Sequence, residues 1–166
     1  MAKLEKVFAI LLGLGLLLYL TKLNGGFIIP LIGGTLLSIL YFPLGMARLN
    51  GISGHRIFST AAYQELPISR IVFGGVLGLF LACALLGSVF YIANWKGSFL
   101  LSIFGSVGLT ASLIAIILMR ANLPGGGRPW IIRCVVALAV LVGVSLFPQY
   151  DPPPEDNRPI ENELRR

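Results

Sequence analysis

The sequence predicts an all-α integral membrane protein of about five transmembrane helices, arranged as two tandem parallel helical hairpins plus one extra span. Of the 166 residues, 56 % are hydrophobic and only 12 % are charged, whereas a soluble domain carries about 25 % charged residues. The mean hydropathy is +0.86, and five apolar runs approach the roughly 20 residues that a spanning helix needs. This composition excludes an ordinary cytosolic enzyme domain, a nucleic-acid-binding module and a disordered protein.

Five apolar runs define a predicted transmembrane bundle over residues 1–148. The runs are residues 4–23, 27–47, 71–93, 99–119 and 130–147. A Pro-rich acidic C-terminal tail, residues 149–166, follows the bundle. Because the tail has few apolar residues, we do not expect it to fold on its own.

The first run also has features of a secretory signal peptide. Lys3 and Lys6 precede a continuous apolar stretch. The segment that follows, residues 21–24, lacks the small-x-small pattern of a cleavage site. We therefore predict that the first run is a retained span, and a four-span protein with a cleaved first segment is the alternative.

Proline and arginine interrupt two of the other runs. Pro30 and Pro43 lie in the second run, where neighbouring helices or water can satisfy the freed backbone groups. The fifth run is the shortest and has Arg133 near its start. We expect this side chain to reach the membrane interface instead of staying at depth.

Basic residues alternate between the two sides of the predicted bundle. Eight lie before the first span or after the second and fourth spans. The other five are Lys22, Lys96 and three arginines of the tail, which also has five acids. Because cytoplasmic loops carry an excess of Lys and Arg, we predict a multi-pass protein with a cytoplasmic N-terminus and an external C-terminus.

The two predicted hairpins match each other at a fixed offset of 72 positions. Glycine and aromatic residues recur at this offset in five pairs, which are Gly15 and Gly87, Tyr19 and Tyr91, Gly25 and Gly97, Phe27 and Phe99, and Gly33 and Gly105. Each hairpin also has a short turn containing Asn and Gly, which accept positive φ. We therefore predict a duplicated hairpin, with both copies running in the same direction through the membrane.

The second hairpin resembles the transmembrane hairpin of the GldL family, the inner-membrane subunits of the gliding-motility and type IX secretion motor of Bacteroidota. The resemblance covers about 30 residues and rests on Gly87, Phe90, Ile92, Trp95, Lys96, Gly97 and Ser98. It implies a hairpin architecture and a bacterial inner membrane. Two departures argue against proton-driven motor activity, because Lys96 replaces the proline of the family's turn and no span has an acidic residue at its middle.

Polar residues within the spans are mostly hydroxyls and small residues, which favour helix packing. Three small-residue stripes are the packing candidates: Gly34 with Ser38, Gly74 with Gly78, and Gly108 with Ser112. The residues that define the predicted turns are Gly25 in the first hairpin and Trp95 and Gly97 in the second. Cys83 and Cys134 lie in separate apolar runs, so we expect free, buried thiols.

The segment between the second and third spans is the polar stretch whose side chains best suit a binding site. His55, Arg56 and Arg70, with Glu65, are candidates for binding a phosphate or a lipid head group. The favoured alternative is a basic cytoplasmic loop with a short interfacial helix near residues 59–66. A single histidine without clustered cysteines or acids does not predict a metal site.

These features predict a non-enzymatic integral membrane protein, a structural or accessory subunit of a bacterial membrane complex. The expected partners are the lipid bilayer and other membrane subunits or a second copy of the chain, with no cofactor and no nucleic acid. A small transporter or channel component is the alternative. A third hypothesis is a membrane enzyme that acts on lipid head groups through the loop containing His55.

Overall fold

The computed structural model describes residues 2–21, 28–53, 56–119, 123 and 127–146, and the regular structure within these ranges is entirely helical. The helices are α1 (Ala2–Leu20), α2 (Ile28–Arg48), a short 3₁₀ helix (Thr60–Tyr63), α3 (Ile68–Ile92), α4 (Ser98–Leu118) and α5 (Arg128–Ser145). The all-α prediction is confirmed. Gly25 and the predicted tail lie outside the described residues.

Four of the five long helices, α2 to α5, are long and apolar enough to cross a membrane. Helix α1 differs because Lys3, Glu5 and Lys6 occupy its first two turns. The apolar remainder, Val7–Leu20, is roughly 21 Å long at 1.5 Å per residue, against a hydrocarbon thickness of about 30 Å. A fifth span at α1 therefore stays a prediction.

Helix α3 occupies the centre of the bundle. It packs against α2, α4 and α5, while α1 packs mainly against α2. The largest fully buried side chains include six aliphatic residues on α2, α3 and α4: Leu44, Leu77, Leu81, Ile92, Leu109 and Ile116. The core thus lies where α3 meets the helices on either side of it.

Helices α2 and α3 touch through their backbones. A Cβ atom added to Gly74 would lie 2.5 Å from the carbonyl oxygen of Gly45. A Cβ atom added to Gly78 would lie 2.5 Å from the carbonyl oxygen of Tyr41. Small residues permit this approach, and close packing is what holds helices together in lipid. The stripe of Gly74 and Gly78 therefore faces α2 and not a partner protein.

The other two small-residue stripes also face helices of the same chain. Gly34 on α2 lies against Val89 of α3, and Gly108 on α4 lies against the ring of Phe80 on α3. The serines of these stripes, Ser38 and Ser112, are buried. The Ser38 hydroxyl donates to the Gly34 carbonyl oxygen at 2.7 Å, so its burial leaves no unpaired donor.

A Schellman turn ends α3 and reverses the chain into α4. The Trp95 amide donates to the Phe90 carbonyl at 2.9 Å, and the Asn94 amide donates to the Tyr91 carbonyl at 3.1 Å. Asn94 has a φ of 54°, and the rings of Phe90 and Trp95 lie 4.8 Å apart. These are the left-handed residue and the apolar contact that such a helix end requires. Gly97, with a φ of 93°, then begins α4.

The two hairpins, α1 with α2 and α3 with α4, contain equivalent contacts at the offset of 72 positions. A Cβ atom on Gly15 would meet the backbone of Pro30, and one on Gly87 would meet the backbone of Ser102. Two further pairs of contacts repeat the pattern. Gly33 lies against Leu12 as Gly105 lies against Ala84, and the Ser38 bond to Gly34 recurs as the Thr110 bond to Ser106. The two helices of each hairpin therefore pack against each other through equivalent positions.

We expect the substitutions Gly15→Ala and Gly87→Ala to destabilise the protein by similar amounts. At Gly15 the new Cβ atom would lie 2.5 Å from the Pro30 nitrogen, and at Gly87 it would lie 2.8 Å from the Ser102 nitrogen. Overpacking of this kind costs about 1–3 kcal/mol. Unfolding by SDS titration, followed by circular dichroism, measures the change.

The matched control for this pair is Gly13→Ala on α1. No atom lies within 4 Å of a Cβ atom at that position. Since alanine is the better helix former by about 1 kcal/mol, we expect this control to be neutral or stabilising. Equal losses of stability for Gly13→Ala and Gly15→Ala would contradict the described packing of α1 on α2.

Candidate functional site

An ion cluster joins the first and last helices of the chain. Glu5 lies in the first turn of α1, and Arg133 lies in the second turn of α5. The Arg133 Nε donates to Glu5 Oε1 at 2.6 Å, and its Nη2 donates to Glu5 Oε2 at 3.1 Å. Arg48, the last residue of α2, is the third member, with its Nη1 3.7 Å from Glu5 Oε2. We call these three residues the Glu5 cluster.

The members of the Glu5 cluster differ in burial. The side chain of Glu5 is 11 % exposed, that of Arg133 is 18 % exposed, and that of Arg48 is 30 % exposed. Charges at this degree of burial require close partners. The bidentate geometry provides one for Glu5 and Arg133, because two parallel charge-assisted hydrogen bonds form at once.

Further contacts fix the guanidinium group of Arg133. Its Nη1 donates to the carbonyl oxygen of Pro129 at 3.1 Å. Its Cζ lies 4.9 Å from the centre of the Trp130 ring, within the range of a cation–π interaction. The hydroxyl of Tyr41 on α2 lies beside the same group. Arg133 is therefore held by α1, α2 and its own helix, and its position relative to the membrane interface stays a prediction.

The Glu5 cluster places three helix ends at one end of the bundle: the start of α1, the end of α2 and the start of α5. The segments predicted to be cytoplasmic therefore share one side. Exposed basic residues Lys3, Lys6, Arg56 and Arg128 lie on the same segments. Which compartment this end faces stays a prediction.

Sequence reasoning missed the pairing of Glu5 with Arg133. The two residues are 128 positions apart, and no periodicity connects them. The available signal was the coincidence of one acid near the start of the first apolar run with one base inside the last run. Opposite charges in separate spans pair with each other in many membrane proteins.

The Glu5 cluster contains more positive than negative charge. Arg133 uses both carboxylate oxygens of Glu5, while the 3.7 Å separation of Arg48 from Oε2 is too long for a hydrogen bond. With two guanidinium groups and one carboxylate, the cluster can attract an anion. Within the described ranges, no group of three His, Cys, Asp or Glu residues is placed to hold a metal ion.

A hydroxyl-lined pocket of about 300 Å³ lies at the other end of the bundle, between α3, α4 and α5. Its polar lining residues are Ser88, Tyr91, Ser102, Ser106 and Ser145. The hydroxyls of Ser88, Ser106 and Ser145 donate to carbonyl groups of their own helices. Their oxygen lone pairs stay available, so the pocket offers uncharged hydrogen-bond acceptors in apolar surroundings.

The predicted head-group candidates lie in the connection between α2 and α3. His55 is outside the described residues. Arg56 is exposed, and Arg70 borders a pocket of about 220 Å³ together with Asn50 and Phe73. The predicted interfacial helix of residues 59–66 is a single 3₁₀ turn, Thr60–Tyr63. It is anchored by the Tyr63 hydroxyl, which donates to the Ile57 carbonyl at 2.8 Å.

Comparison with protein-family models, with curated proteins and with solved structures finds no match to this chain. The resemblance of the second hairpin to the GldL family therefore stays a prediction. The residues that carry it have defined structural roles, because Phe90, Trp95 and Gly97 form the turn from α3 to α4.

We expect Glu5→Gln to destabilise the protein by about 3 kcal/mol, because it leaves the guanidinium group of Arg133 buried without its anion. Arg133→Gln should cost a similar amount. In the double variant the losses should not add, and a coupling energy of about 1–3 kcal/mol should remain. Unfolding in SDS of the four proteins measures this cycle.

The exposed acid Glu65 is the matched control for this cycle. Glu65→Gln makes the same chemical change on a solvated segment, so its effect should stay within about 0.5 kcal/mol. If Glu5→Gln is no more destabilising than Glu65→Gln, the described ion pair does not contribute to stability.

Proposed function

We propose that this protein is a non-enzymatic structural or accessory subunit of a complex in a bacterial inner membrane. The observation that carries the proposal is the backbone contact between α2 and α3 at Gly45, Gly74 and Gly78. This contact brings the main chains of the two central helices together, which favours a rigid building block. The Glu5 cluster supports the same role, since it ties α1 to α5.

The outer surfaces of α4 and α5 are the proposed contacts with other membrane subunits or with a second copy. A smaller part of these two helices is buried than of α2 and α3. Val107, Phe99 and Leu100 on α4 are among the most exposed apolar residues of the chain. Helix association in lipid depends on packing, so a subunit requires faces of this kind.

Extraction in a mild detergent, followed by light scattering and identification of co-purifying chains, tests the proposal. We expect a particle heavier than the 17.9 kDa chain. Val107→Trp on α4 should reduce this assembly, because it adds bulk to the proposed contact. Ile39→Trp on α2 is the matched control, since Val107 and Ile39 are 65 % and 66 % exposed. A lone monomer without partners would contradict the proposal.

We also infer that the two hairpins are copies of one ancestral hairpin. Three pairs of equivalent contacts at one offset support this inference more strongly than matching leucines do, since apolar spans match each other by chance. Similar losses of stability in Gly15→Ala and Gly87→Ala, the pair described above, would agree with it. Tolerance of one substitution and failure of the other would count against it.

A transporter or channel component is the second candidate function, and the hydroxyl-lined pocket is the observation that favours it. Four of its five polar residues are serines, and they come from three different helices. The pocket contains no charged group and most of its surface is apolar, so a small uncharged solute with both apolar and hydroxyl groups is the class of substrate that suits it.

Flux of glycerol into liposomes containing the purified protein tests this second function. Ser106→Leu combined with Ser145→Leu should abolish flux, because both residues line the pocket. Thr110→Leu is the control, since Thr110 is an exposed hydroxyl on α4 outside the pocket. Flux equal to that of empty liposomes, or equal loss in the control, would eliminate this candidate.

A further inference from the structure

We propose that the Glu5 cluster binds the phosphate group of an anionic phospholipid, with Arg48 as the residue that contacts it. The inference does not depend on the complex proposed above. It assigns a ligand class to an arrangement of two guanidinium groups and one carboxylate.

The Glu5 cluster has an excess of positive charge. Arg133 occupies both carboxylate oxygens of Glu5 through hydrogen bonds of 2.6 and 3.1 Å. Arg48 lies 3.7 Å from Oε2, so it has an electrostatic contact with Glu5 but no hydrogen bond. The carbonyl end of α2 supplies roughly half a negative charge near Arg48. The cluster therefore keeps a net positive charge.

The side chain of Arg48 is partly buried but still reachable from outside. Its side chain is 30 % exposed, so its guanidinium group is partly removed from water and still reachable from outside. A partly dehydrated guanidinium group gains more from an anion than a fully hydrated one does. Its planar set of donors fits two oxygens of a phosphate group at once.

The surroundings of Arg48 indicate a lipid as the source of the phosphate. Lys3, Lys6 and Arg128 are exposed on the helix ends that meet at the cluster, and basic groups near a membrane surface attract anionic lipids. Apolar side chains on the same helices, Val7 and Ile132, are about half exposed or more. A phospholipid can place its phosphate at Arg48 while its acyl chains cover such residues.

Thermal unfolding in a neutral detergent, with native mass spectrometry to count bound lipids, tests the proposal on the full chain. The probes are phosphatidylglycerol, phosphatidylcholine and inorganic phosphate. We expect phosphatidylglycerol to raise the unfolding midpoint and to bind selectively. Arg48→Gln should lower its affinity by about tenfold, which is typical for loss of one charged hydrogen-bond partner.

Two further variants separate the role of Arg48 from that of positive charge in general. Lys96→Gln removes one positive charge from an exposed site in the α3–α4 turn, so it should retain the selective effect of phosphatidylglycerol. Arg48→Lys keeps the charge but loses the two-pronged geometry, so its affinity should lie between those of the unchanged protein and Arg48→Gln.

Three results would overturn the proposal. Phosphatidylcholine could stabilise as much as phosphatidylglycerol, which would remove the role of the anion. Arg48→Gln could bind phosphatidylglycerol as tightly as Lys96→Gln does, which would remove the role of Arg48. Inorganic phosphate at the same concentration could reproduce the full effect, which would replace the lipid by a free phosphate ion.

Discussion

Helices α2 and α3 meet backbone to backbone because Gly45, Gly74 and Gly78 place no side chain between them. In lipid, apolar surface gains little by leaving its surroundings, so van der Waals contact at short range must hold the helices together. The position of α3 then determines the rest of the bundle, because α4 and α5 pack on it. Helix α1 follows indirectly, since it packs on α2.

The two ends of the bundle use polar groups in opposite ways. At one end, Glu5, Arg48 and Arg133 form a charged connection between three helices. At the other end, the hydroxyls around the α3–α4–α5 pocket satisfy their donors within their own helices. The first arrangement holds helices to one another, while the second pairs each donor within its own helix.

Local features of the fold were predictable from the sequence. The apolar runs located all five long helices to within a few residues, because helix length and hydropathy are properties of neighbouring residues. The turn with Asn94 and Gly97 was predictable for the same reason, since both residues adopt the positive φ that tight turns require. The offset of 72 positions between the two hairpins was visible in the same way, because it compares residues one by one.

Tertiary features were not predictable in this way. The stripe of Gly74 and Gly78 indicated a packing face but could not show that Gly45 lies opposite, because sequence spacing does not identify the neighbour. The position of the Arg133 guanidinium group depends on Glu5, which lies 128 positions away. Contacts of this kind are set by how complete helices pack, and one sequence contains no direct record of that.

The bond between Glu5 and Arg133 also has a consequence for how the chain is made. Synthesis proceeds from the N-terminus, so Glu5 leaves the ribosome long before Arg133 exists. Arg48, which is made earlier, is the basic residue of the cluster that can accompany the carboxylate in the interval. The Glu5 carboxylate therefore gains its bidentate partner only after α5 has been made, although α1 already has α2 to pack on.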